Sequence, residues 1–368
     1  MSGTSAIGGF VDFPGGVAAS TVANAASVAR RLATLTQQVG GGYVSGHYAG
    51  LGTGMQTALV TAPAIARQQA WQANIAAASG AMDVAQTALS QISSEASTFY
   101  ANTNNLNGLN PSQIDSVAAA ARDALVRVAG LLNSTDAGRY VFAGQDSGNP
   151  PLPGSDAILS SGFFTQIQTA VAALPASGAA GTIAATLSVA ASNAAGTSPF
   201  SAALSQPAAT LAARRPILAG PDGAPVPVGI TASANADVAS TGPSTTGSYM
   251  RDVLRALATL GSLSSAQVGT AGFDQLVADT RTSLGGAITA LNADAGVLGD
   301  RQARLQADAQ TSVQTVTALQ AQLSGAQDVD MAATLARLTQ TQTQLQASYQ
   351  LIAQSQSLSL VKYLAAGG

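Results

Sequence analysis

The chain has no cysteine, one lysine (Lys362), one glutamate (Glu95) and one histidine (His47). Without cysteine there is no disulfide frame, no thiolate nucleophile and no sulfur ligand for a metal. A single imidazole leaves no spacing for a Ser-His-Asp arrangement or a zinc-type ligand set. No cofactor or metal site is therefore expected, and an enzyme is not the reading these residues favour. Charged residues are only 9% of the total, against about 25% in ordinary globular chains. With one Glu and one Lys, helix-supporting i,i+4 pairs of that kind cannot be a general device. The net charge of -3 and the absence of any basic run give no footprint for nucleic acid. No window approaches the roughly 18 uncharged apolar residues of a membrane span, so no membrane insertion is expected. Residues 1–16 show no basic segment followed by an apolar one, which predicts an export route that reads no cleavable signal peptide.

What is present is alanine with Ser, Thr, Gln and Asn. Apolar residues make up 46% of the 368, aromatics only 4%, and uncharged polar side chains take the outward positions that Lys and Glu usually occupy. A chain of this length divides into two or three domains. Residues 1–16 are Gly-rich and read as disordered. From Thr21 to Val39 the spacing of Val28, Leu32, Leu35 and Val39 by four, three and four predicts a helix with one apolar stripe. Gly40-Gly41-Gly42 ends it, and Tyr43 to Gly54 reads as a loop. Met82, Ala85, Leu89, Ile92, Ala96 and Phe99 predict a second helix over Gln56–Asn102. Ile114, Val117, Ala121, Leu125, Val128 and Leu132 predict a third that begins at Pro111 and stops before Asp136. Tyr140 to Gly144 alternates and reads as a short strand or hairpin arm.

Residues 146–249 hold most of the chain's 14 prolines and only short apolar runs, with helices expected near Phe163–Leu174 and Ala185–Ala195. Helices resume from Ser248 to Leu263 and from Phe273 to Leu323, the latter carrying Leu284, Ile288, Leu291, Ala295, Leu298 and Leu305. Asp328 and Asp330 then open a last helix as capping acids. Its stripe, Met331, Leu335, Leu338, Gln342, Leu345, Tyr349 and Ile352, keeps a 4-3-4-3-4-3 rhythm, the 3.5-residue period of a coiled-coil seam. The first helix offers the matching shorter stripe, so the two ends are expected to pair, antiparallel or side by side. On periodicity alone this also fits an ordinary intramolecular bundle. Gly50-Leu51-Gly52-Thr53-Gly54 lacks the Gly-Lys-Ser/Thr ending of a phosphate loop and reads as a structural turn.

Three segments carry a family resemblance. The run from Asp328-Val329-Asp330-Met331-Ala332 through Leu345-Gln346-Ala347-Ser348-Tyr349 to Leu358-Ser359-Leu360 resembles the conserved tail of the flagellin superfamily. Met82-Asp83-Val84-Ala85-Gln86-Thr87-Ala88-Leu89 resembles its second-helix motif. Gly138-Arg139-Tyr140-Val141-Phe142-Ala143-Gly144 resembles the lead into the variable domain of the branch that forms the hook–filament junction, the third hook-associated protein. The likeness covers about 20–145 and 250–364. It departs after the first helix, where the paired aspartates usual in the family are missing from the stretch 41–52.

The resemblance implies a mainly α fold, a long helical coiled-coil bundle formed by both termini with an inserted variable middle domain of mixed or mainly β type. The expected domains are 1–45 plus 325–368, 46–145 plus 250–324, and 146–249. It implies a structural subunit of the bacterial flagellum, extracellular and exported by the flagellar type III apparatus. Its subunit-interface residues would be Val28, Leu32, Leu35, Val39, Met331, Leu335, Leu338, Leu345, Tyr349 and Ile352. The partners implied are other copies of itself, hook-associated protein and flagellin, with an export chaperone. Filament flagellin is the alternative within the family. A secreted interaction protein or enzyme with a helical stalk is the alternative outside it.

Overall fold

The computed structural model describes residues 14–106, 111–220, 223–234 and 237–357. The protein is mainly helical, in two compact units. Residues 1–66 and 315–368 make the first unit and 67–314 the second.

In the first unit, α1 spans Pro14–Gly41 and α9 Met331–Ser357. α1 therefore starts seven residues before Thr21, with Pro14 at its first position, where the missing N–H is no loss. The rest of the expected Gly-rich tail, 1–13, lies outside the described residues, as does the Leu358-Ser359-Leu360 end of the family-like segment. α2 begins at Gly54 and α8 ends at Gln327, so the unit also holds the first turns of one and the last turns of the other.

The second unit takes the rest of α2 (Gly54–Asn102) and of α8 (Phe273–Gln327), with α3 (Pro111–Leu132) and α7 (Tyr249–Gly261). The heptad positions from both long helices are buried here: Met82, Leu89, Ile92 and Phe99 from α2, Leu284, Leu291, Leu298 and Leu305 from α8. α7 is the centre of the unit, with every one of its 13 residues buried. It packs against α3, α4 (Gly162–Ala172) and α5 (Leu174–Ala191).

Residues 146–249 are of the mixed kind. Among the described residues of this stretch, α4, α5 and α6 (Ala208–Ala213) are followed by one hairpin. In that hairpin Ile217–Ala219 pairs with Pro225–Pro227, in register Leu218 opposite Val226. Pro225 and Pro227 have no N–H to offer a further strand, which suits a two-stranded sheet. The other hairpin, Thr135–Asp136 with Arg139–Tyr140, starts before the strand expected over 140–144. Ala137 and Gly138 both adopt positive φ, 46° and 78°; two such residues make the turn whose twist matches the strands. Phe142 and Ala143 then leave the hairpin and are buried, and the Phe142 carbonyl accepts from Ala232 N at 2.9 Å.

One expectation is corrected. α5, over Leu174–Ala191, is by length and composition apolar enough to cross a membrane. Its helical path is interrupted at Gly178, with φ 65° and ψ 175°, and Leu174, Ala179, Thr182, Thr186 and Ala190 are buried. Those buried side chains give it a packed face inside the second unit.

Candidate assembly surface

The first unit is held together at the point where its two terminal helices meet. Val44, just past α1, donates its N–H to the Gln327 carbonyl at 2.7 Å, and Val329 donates to the Gly42 carbonyl at 3.0 Å. Tyr43 and Asp328 form an antiparallel bridge between these bonds. The Gln38 side-chain amide donates to the Val44 carbonyl at 2.8 Å. The end of α1 is thus tied to the start of α9, and as the two helices pack along each other they run antiparallel. Gly42, with φ 75°, makes the exit from α1. Asp330 caps α9, its Oδ1 accepting from Ala333 N at 3.0 Å, while Asp328 serves through its backbone.

The glycine-rich loop is built for close approach. A Cβ on Gly54 would stand 2.6 Å from the Ala326 carbonyl oxygen, and one on Gly50 would stand 2.2 Å from Ser45 Oγ. Leu51, at the end of a single 3-10 turn, is the buried plug of the loop. Gly52, with φ 56° and ψ -120°, then turns the chain into α2. His47 is exposed.

Along α1, Ala25 and Leu35 are buried, and Val28, Leu32 and Val39 are half-buried. All four interface residues expected on α1 thus lie on its packed face. α9 differs. Leu338, Leu345 and Ile352, one heptad apart, are half-buried, but the positions withdrawn beside them are Thr334, Thr341 and Ser348. The second heptad column, Leu335, Gln342 and Tyr349, faces solvent: Leu335 is 45% exposed and Tyr349 57%. Met331, in the first turn, is 41% exposed. Sequence reading missed Thr334, Thr341 and Ser348 because it ranked positions by hydrophobicity. The signal was their spacing, seven residues apart and four before each inner Leu or Ile. A threonine hydroxyl returned to its own helix leaves a methyl for the seam, as when Thr341 Oγ1 donates to the Arg337 carbonyl at 2.7 Å, and Ser348 Oγ is likewise satisfied by the Gln344 carbonyl at 2.8 Å.

Charge plays almost no part in this surface. Among the described residues of the first unit only Arg30, Arg31, Asp328, Asp330 and Arg337 are charged.

The buried charges belong to the second unit. Asp252 accepts from Ser240 and Thr245 hydroxyls at 2.5 Å each, from Thr246 N at 2.8 Å and from Thr246 Oγ1 at 2.9 Å. Arg251 donates to the carbonyls of Ser233, Ala190 and Ser192 and to Asn193 Oδ1, over the Phe200 ring. Arg255 donates to the Ser244 carbonyl at 2.7 Å and lies 3.8 Å from Asp279. Burial lowers the pKa of both guanidinium groups against the opposing pull of Asp252. Tyr249 is pushed well up by burial and by Asp294, to which its hydroxyl donates at 2.7 Å. Burial raises the Asp237 carboxyl, but Arg301 at 2.7 Å and Arg215 at 3.3 Å outweigh it and hold the group below its ordinary value. These side chains mostly hold backbone and loop, especially 240–248, around α7. No group of three or more His, Asp or Glu suited to a metal occurs among the described residues.

The stretch 282–364, which holds most of α8 and all described residues of α9, matches the family model of the bacterial flagellin C-terminal helical region. No curated protein matches the chain. The matched family is structural rather than enzymatic and assembles from copies of itself into filaments. Over that stretch, which is less than half of the chain, the protein is similar to the flagellin C-terminal helical region.

Proposed function

We propose that this protein forms the hook–filament junction of the flagellum, its α1–α9 pair packing against the terminal helices of neighbouring copies and of adjoining axial proteins. The observation that carries this reading is the outward column of α9. Leu335 and Tyr349 keep the heptad period yet are exposed, and a coiled-coil column facing water calls for another helix. The scarcity of charge suits the same role, since buried Lys or Glu would add desolvation cost between copies. Export proceeds through the flagellar type III apparatus with a chaperone, and the middle domain projects outward. Filament flagellin is the second reading, favoured by the match to the flagellin C-terminal region; the junction-like segments Gly138–Gly144 and Leu345–Tyr349 argue for the first.

A deletion strain separates them. Hooks without filaments, with flagellin released into the medium, are expected for a junction protein. Normal filaments built of another flagellin would overturn the proposal, and loss of the filament protein itself would favour the second reading.

A further inference from the structure

The chain has five methionines and no cysteine, so thioethers are its only sulfur nucleophiles. The four in the described residues divide sharply. Met82 and Met250 are 1% exposed, inside the core of the second unit, whereas Met55 and Met331 are 40% and 41% exposed, in the first. Each exposed methionine stands in the first turn of its helix, α2 or α9, and is followed at i+4 by an exposed leucine, Leu59 or Leu335. Residues four apart share a helix face, so each pair is an apolar patch of the same Met-x-x-x-Leu form.

We propose that Met55 and Met331 are oxidation sites that control assembly: conversion to the sulfoxide turns the patches polar and blocks association. This rests on reading the first unit as the assembly surface. The oxidant is hydrogen peroxide. The thioether sulfur attacks one peroxide oxygen, an S–O bond forms as the O–O bond breaks, and the departing hydroxide takes the remaining proton and leaves as water. Sulfur gives up two electrons and the peroxide accepts them. The sulfoxide oxygen is an acceptor that an apolar contact cannot satisfy, and methionine sulfoxide reductases reverse the change.

The test uses the purified full chain, with self-association and addition to purified flagellar hooks followed by sedimentation. Trypsin places Met55 in peptide 32–67, Met82 in 68–122 and Met331 in 305–337, so mass spectrometry reads each separately. A peroxide dose that oxidises Met55 and Met331 while sparing Met82 and Met250 is expected to raise the concentration needed for assembly by about tenfold or more, the effect of one unpaired polar group in a contact. Trp71 emission should stay unchanged, and reductase treatment should restore assembly. The double variant Met55→Leu, Met331→Leu, measured against its own untreated assembly concentration, should show no shift on peroxide treatment. The proposal is overturned if oxidised protein assembles at the untreated concentration, if the double variant remains sensitive, or if all four methionines oxidise in parallel. Untreated protein that joins neither itself nor hooks overturns the assembly reading, and the switch with it.

Discussion

The Val44 amide and the Gln327 carbonyl meet at 2.7 Å, joining the residues that leave the first helix to those that lead into the last. This short tether makes the two ends of a 368-residue chain one structural element. The inner column of α9 packs in the pair, and the outer one, with Leu335 and Tyr349, is exposed.

The two columns are separable by mutation. Leu35, 7% exposed, supports the inner seam, and Leu35→Ala should destabilise the α1–α9 pair by about 2–3 kcal/mol. Leu345→Asp, with a charge in the seam, should abolish the pair and with it assembly. Leu335→Asp on the outer column should leave monomer helicity as it was and block assembly alone. Circular dichroism with sedimentation measures both properties, and equal loss of helicity in all three variants would show that the columns act as one. Trp71, the sole tryptophan and buried in the second unit, reports whether that unit remains folded.

Asp252 gathers four hydrogen bonds from the segment 240–246. Asp252→Ala would strand those donors, leave Arg251 without its acidic neighbour and leave Arg255 with Asp279 alone, at an expected cost of about 3–5 kcal/mol. Asp252→Asn keeps an acceptor and should cost less. Urea unfolding followed by Trp71 fluorescence gives both values.

Ala137 is the one non-glycine residue with positive φ among those described. That conformation costs an L-residue about 1–2 kcal/mol, and glycine returns about 0.5–1 kcal/mol of it as unfolded-chain entropy. Ala137→Gly should therefore stabilise the second unit by about 0.5–1 kcal/mol, seen as a higher midpoint in urea.

The depressed pKa of Asp237 ties stability to pH. Its ionised form is favoured in the folded state by Arg301 and Arg215, so the contribution is present above the ordinary carboxylate value of 3.8 and is lost as pH falls through the folded one. Melting temperature should fall with acidification below pH 3.8, and Asp237→Asn should flatten part of that slope. An unchanged slope would assign it to the other carboxylates.

The amino-acid sequence by itself determined the helices of both ends, because a period of 3.5 or 3.6 residues in Leu, Ile and Val is a local property that any packing must respect. It determined the α1 face through Val28, Leu32, Leu35 and Val39 for the same reason, and the cap at Asp330 through local hydrogen bonding. Only the tertiary structure decided which column of α9 is covered. Leu335 and Leu338 look alike in a list of residues, and a threonine whose hydroxyl is returned to its own helix packs as an apolar side chain that hydrophobicity ranks as polar. It alone decided the burial of α7 as well, where Arg251, Asp252 and Arg255 are charged groups whose partners come from 186–193, 233–246 and Asp279. Those contacts span up to 69 positions, and no local pattern encodes them.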